Sequence, residues 1–182
     1  ERNPHTRLGV VLSACRGVTD ALLDLVTLAE KQDATIADRL EAGPYGDYVL
    51  FVSRLESVKR PDLAVQAMLH VDRPIRLVMV GEGTERRRTE ALAESLGVAD
   101  RVEFLGAIEE AALLQLYKGA LGVVFVPFDE DYGYVTLEGF AARRPVVTLT
   151  DAGGPLEFVT DGETGLVTPP EPQAIAHAFD RL

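Results

Sequence analysis

From Asp47 to Leu182 the sequence repeats one unit, a short unbroken apolar run followed by a longer amphipathic stretch. The runs are "YVLFVS" (48–53), "IRLVMVG" (75–81), "RVEFLG" (101–106), "LGVVFVP" (121–127), "PVVTLT" (145–150) and "GLVTP" (165–169). A strand with one wet face alternates apolar and polar residues. Most of these runs do not alternate, as expected of parallel strands covered by helices on both faces. The stretches between them, 61–70, 84–97, 109–119, 134–143 and 171–181, read as helices. Alternating strand and helix signals predict an α/β fold with a doubly wound, mostly parallel sheet of the Rossmann-like kind.

Local chemistry marks several boundaries. Pro61 and Asp62 open the first helix favourably. Leu92, Ala93 and Leu96 form an apolar stripe, and Gly97 is placed to end that helix. Pro127, Pro145, Pro169 and Pro170 fall at strand ends, where a missing amide proton is tolerated.

Residues 1–46 read as a separate N-terminal βα segment and linker, ahead of the α/β domain over 47–182. "RLGVVLSA" suits a strand over 8–13, which would extend the sheet edge. "TDALLDLVTLAEKQ" suits a helix over 20–32 with Thr19 or Asp20 as N-cap. "TIADRLEA" suits a second short helix, and "GPYGD" a linker. A chain of 182 residues buries one ordinary core plus a small appendage.

Charge and composition narrow the function. No apolar run approaches the ~18 residues a membrane span needs, so no transmembrane segment is expected. The apolar stretch before Cys15 and Arg16 is too short for a signal peptide, which makes the cytoplasm the expected location. The lone Cys15 permits no internal disulfide and reads as a small buried hydrophobe. A net charge of −11 argues against nucleic acid or an anionic membrane as partner. Any anionic ligand must then be held by local cations and backbone dipoles.

Two loops offer these. "SRLESVKRPD" (53–62) leaves the first strand, and ligands of open parallel sheets bind outside the carboxyl ends of strands. Arg54 and Lys59 therefore stand where a phosphate would sit, a fork and a point charge, or else form a solvated basic loop. "FDEDYG" (128–133) leads from the fourth strand into a helix beginning near Tyr134. Gly133 allows close backbone approach there, and the amides of Tyr134 and Val135 form an anion site without a cation. Glu130 precedes that helix and Glu138 lies within it. Eight helical steps of ~1.5 Å would separate their backbones by about 12 Å. That fits poorly with the roughly 5–9.5 Å of a glycosidase acid–base pair. It suits anchors at the two ends of a ligand with a diphosphate in its middle, or two surface carboxylates.

In order and spacing, "YVLFVSRLESVKRPDL", "LVMVGEGTERRRTEALAESLGVADRVEFLGAI", "FDEDYGYVTLEGFAARRPVV" and "DAGGPLEFVTDGETGLV" resemble the C-terminal, donor-binding domain of group 1 (family 4) retaining glycosyltransferases. The resemblance implies one domain of the two-domain GT-B type and an enzyme of the hexosyltransferase kind. Arg54 and Lys59 match the basic loop expected to clamp the donor diphosphate. Glu130 and Glu138 match the paired glutamates, expected on the donor sugar hydroxyls and on the ribose. Gly133, Tyr134 and Val135 match the backbone that meets the phosphates. The implied partner is a nucleotide-diphosphate sugar, with the acceptor unspecified and no metal or other cofactor. His5, His70 and His177 are scattered and lack acidic neighbours at ligand spacing. Ser53 departs from the glycine usual before the arginine. "GEG" (81–83) lacks the full dinucleotide fingerprint and reads as a turn after a strand.

The family's N-terminal acceptor domain would have to come from elsewhere in the protein or from another chain. The alternative is a nucleotide-sugar-binding module, or chimeric half-enzyme, without turnover. "RLGVVLSACRGVTDALLDLVTLAEKQ" (7–32) instead resembles a βα segment of aspartate kinases, without that family's Lys-Phe-Gly-Gly motif. A chimera joined near Ala34, concatenated segments of a longer protein, and an ordinary βα unit all fit it. A phosphotransferase fragment built on Ser13, Gly17 and Thr19, and a sugar-nucleotide epimerase, are the remaining alternatives.

Overall fold

The computed structural model describes residues 45–182, all within a compact unit spanning Ala37–Leu182. The strand expected over 8–13, the helix over 20–32, the short helix of "TIADRLEA", His5, Cys15 and the join near Ala34 lie outside the described residues.

Each predicted run contains a strand and each intervening stretch a helix. The elements are β1 (Tyr48–Val52), α1 (Pro61–Ala67), β2 (Arg76–Val80), α2 (Arg86–Ser95), β3 (Val102–Gly106), α3 (Glu110–Gly119), β4 (Gly122–Val124), α4 (Tyr134–Ala141), β5 (Val146–Leu149), β6 (Gly165–Thr168) and α5 (Pro172–Arg181). All strand pairs are parallel, in the order β3-β2-β1-β4-β5-β6. β4 is shorter than its apolar run. Phe125 still donates to the Val147 carbonyl at 2.9 Å, but Pro127 has no N–H to continue a ladder.

Position in the sheet explains composition. β1 and β4 lie centrally and every residue of each is buried, whereas β3 at one edge exposes Glu103. Along β1, Val49 and Phe51 join the core beneath α1, α2 and α5, with Ala64, Val65, Ala93, Ile175 and Phe179. Leu50 points to the opposite face, because side chains alternate along a strand. α3 packs on β1, and α4 on β4 and β5. α1 and α5 each begin with a proline in the first turn, where no N–H is needed. α2 ends as its glycine requires. Gly97 is left-handed (φ 70°), its N–H donating to Glu94 and that of Val98 to Ala93, both at 3.0 Å, which satisfies carbonyls the helix leaves open.

Candidate functional site

The strand order reverses direction between β1 and β4, and an open α/β sheet binds ligands outside the carboxyl ends of strands at such a point. The loop after β1 (53–60) and the loop after β4 (125–133) meet there. The Phe128 N–H donates to the Val58 carbonyl at 2.8 Å, stitching one loop to the other. Beside that bond, Lys59 Nζ donates to Glu130 Oε2. Their side chains are 13% and 25% exposed, so the pair is shielded yet reachable. The Lys59 ammonium also lies 5.8 Å from the centre of the Phe125 ring.

Arg54 leaves the same strand tip. It is exposed, and among the described residues its guanidinium makes no hydrogen bond or ion pair. Nearby, Glu56 takes the Thr84 hydroxyl at 2.7 Å and the Thr84 N–H at 3.3 Å. The hydroxyl bond most of all, then the amide, and Arg54 to a smaller extent, hold this carboxyl below the ordinary range. The "GEG" turn proves to be a support for the basic loop. Leu55 N–H donates to Glu82 O, and Glu85 N–H to Leu55 O, both at 2.9 Å.

At the start of α4, Gly133 is left-handed (φ 77°, ψ 61°). The Thr136 N–H closes on the Gly133 carbonyl at 2.9 Å. The amides of Tyr134 and Val135 come before this first helical bond, as donors that a helix leaves without partners. A Cβ on Gly133 would meet the Phe125 ring and Pro155 at 2.8 Å each. Glycine is thus demanded here by the protein's own packing as well as by backbone angle.

The structure does not bring Glu138 into the Lys59–Glu130 pair. Its carboxylate, further along α4, accepts a hydrogen bond from the hydroxyl of Tyr117, which is buried on α3. Burial raises the Glu138 carboxyl above its ordinary 4.5, with the Tyr117 bond opposing. A raised folded value stabilises fully below pH 4.5, and that contribution is lost as pH rises through the folded value. Glu138→Gln is therefore expected to be more stable than the parent at neutral pH. The margin should close in acid, as thermal melts across pH would record.

Sequence reasoning missed the residues that hold the two loops in place. Arg60 has φ 50° and ψ 50°. Its Nε donates to the Val126 carbonyl at 3.1 Å, and its Nη1 and Nη2 to the two oxygens of Asp151 at 3.0 and 2.7 Å. Nη2 also donates to the Pro127 carbonyl. From the β5 loop, the carbonyls of Asp151 and Ala152 accept from the N–H groups of Asp129 and Glu130 at 3.1 and 2.9 Å. The Gly154 N–H returns a bond to Glu130 O at 2.7 Å. "DAGG", given no role from sequence, is the shelf on which Glu130 rests. The sequence carries no signal for Arg60, since a residue before proline is biased toward extended angles and Arg60 is left-handed instead.

A doubly wound sheet with Lys59, Glu130 and the start of α4 gathered at its switch point defines a Rossmann-like α/β protein. The sequence model of the group 1 glycosyltransferases matches residues 32–182, and the chain belongs to that family. The match begins ahead of Asp47. The chain is 38% identical over 150 residues to the D-inositol 3-phosphate glycosyltransferase of Acidothermus cellulolyticus, covering 75% of this chain and 33% of that protein. Among solved structures it resembles Anabaena HepE in complex with UDP and glucose, with TM-score 0.69, 25% identity, and 87% and 42% of the two chains covered. Sucrose-phosphate synthase from Thermosynechococcus elongatus gives TM-score 0.69 at 33% identity, covering 82% and 39%. The chain thus spans between 33% and 42% of the length of these three proteins. The solved neighbours share the GT-B fold.

Proposed function

We propose that residues 47–182 bind a nucleotide-diphosphate sugar and present it for glycosyl transfer with retention of configuration. The observation that carries this is the meeting of Lys59 and Glu130 at the β1–β4 switch point, beside the start of α4. Lys59 and Arg54 take the diphosphate oxygens, joined by the amides of Tyr134 and Val135, with Gly133 admitting the backbone. Glu130 takes hydroxyls of the donor sugar, and Glu138 the ribose. In the transfer step the sugar C1–O bond to the diphosphate breaks, the acceptor oxygen bonds to C1, and the acceptor's proton passes to an oxygen of the departing diphosphate. Negative charge grows on the departing diphosphate, and preorganised cations lower the barrier by meeting it. No metal or organic cofactor enters this scheme.

Acceptor binding is assigned to a part of the protein this chain does not span, or to another chain. The second reading is a donor-binding module without turnover. Calorimetric titration with UDP, GDP and ADP sugars tests the first point. One donor should bind and lose its heat in Lys59→Ala; equal heats in the two proteins would overturn the site. Sugar release in a coupled assay with acceptors then separates enzyme from module.

A further inference from the structure

Arg60 sits between the residue that meets Glu130 and the first residue of α1, in a left-handed conformation. A side chain other than glycine holds that conformation only against strain. Its guanidinium compensates by engaging three strand tips at once. It ends the β1 loop, donates to the carbonyls of Val126 and Pro127 after β4, and grips both carboxylate oxygens of Asp151 after β5. The Phe128 ring lies 5.4 Å from the guanidinium carbon, and the Arg60 side chain is only 17% exposed. The carbonyl of the same Asp151 also accepts the Asp129 N–H, directly ahead of Glu130.

We infer that Arg60, with Asp151, is a positioning residue of the diphosphate clamp. It fixes the gap between the β1 and β4 loops and so the place of the Lys59 ammonium. The inference rests on the donor-site reading above. Only a planar fork can serve two carbonyls and a bidentate carboxylate together; a lysine, with one nitrogen, cannot. Arg60 itself is fully engaged by protein groups and is assigned no ligand contact.

The test uses the 182-residue chain and whichever of UDP, GDP and ADP the wild type binds best, together with its nucleoside. Arg60→Gly keeps the left-handed backbone without strain, so it should fold and melt close to wild type. It should bind the diphosphate about tenfold more weakly, a step of about 1.4 kcal/mol, and bind the nucleoside as wild type does. Asp151→Asn should show the same selective loss, and the double variant little more, because the two groups act as one unit. Unchanged diphosphate affinity in Arg60→Gly overturns the inference, as does an equal fall for diphosphate and nucleoside, which marks a merely structural role. If Arg60→Gly fails to fold, Asp151→Asn decides the matter by the same two outcomes. Lys59→Met is the control for the site. Wild-type affinity in that variant, or no diphosphate binding by wild type, removes the donor reading and this inference with it.

Discussion

Lys59→Met is expected to weaken binding of the nucleoside diphosphate by roughly a hundredfold, the equivalent of about 2.7 kcal/mol. Hydrogen bonds to a charged group contribute about 1.5–3 kcal/mol each, and Lys59 stands at the point where the β1 and β4 loops converge. Methionine keeps an unbranched stem beside Phe125 and removes the ammonium with its charge and donors. Stability should change by about 1 kcal/mol or less, because an exposed partner left behind is rehydrated, and the Glu130 side chain retains 25% exposure. Glu130→Gln should behave in the opposite sense toward the diphosphate. With the carboxylate neutralised, Lys59 is no longer shared and a like charge is removed, so UDP should bind several-fold more tightly. The added affinity of a UDP-sugar over UDP should fall. Calorimetry at two ionic strengths reads both variants, and a Lys59→Met protein with parental affinity would end the assignment.

Gly153→Ala is expected to cost about 3 kcal/mol of stability. Gly153 has φ 78° and ψ −129°, a combination that a Cβ excludes. A Cβ there would lie 2.6 Å from the Glu130 carbonyl oxygen and 2.8 Å from its nitrogen. Both neighbours are backbone, so no rotamer change relieves the contact. The β5 loop must then withdraw and break the Glu130 N–H bond to Ala152. Loss of donor affinity should accompany the lowered melting temperature. A variant that melts with the parent and binds as tightly would show that the shelf beneath Glu130 is not needed.

Much of the fold was legible because its signals are local. Unbroken runs such as "VLFV" and "VVTL" announce strands dry on both faces, and Pro61, Gly97 and Gly133 mark helix ends through their own backbone chemistry. The positions of Lys59, Arg54 and Glu130 were legible too, since each lies in the loop that follows a strand and a parallel sheet gathers its ligands at that end. Glu138 was legible as a residue but not in its environment. The Tyr117 hydroxyl that holds its carboxylate comes from a different helix.

The sequence alone determined which segments become strands and helices and which charged residues stand at strand tips, because those properties depend on a residue and its near neighbours. Only the tertiary structure decided that β1 and β4 lie side by side, pairing Val49 with Gly122 and Phe51 with Val124. That adjacency joins Lys59 to Glu130 across 71 residues. It also brings Arg60 and the Asp151–Gly154 loop underneath them. Apart from the Asp151 carboxylate, their partners are backbone carbonyls and amides, so the side-chain pattern along the chain does not record which of them will meet.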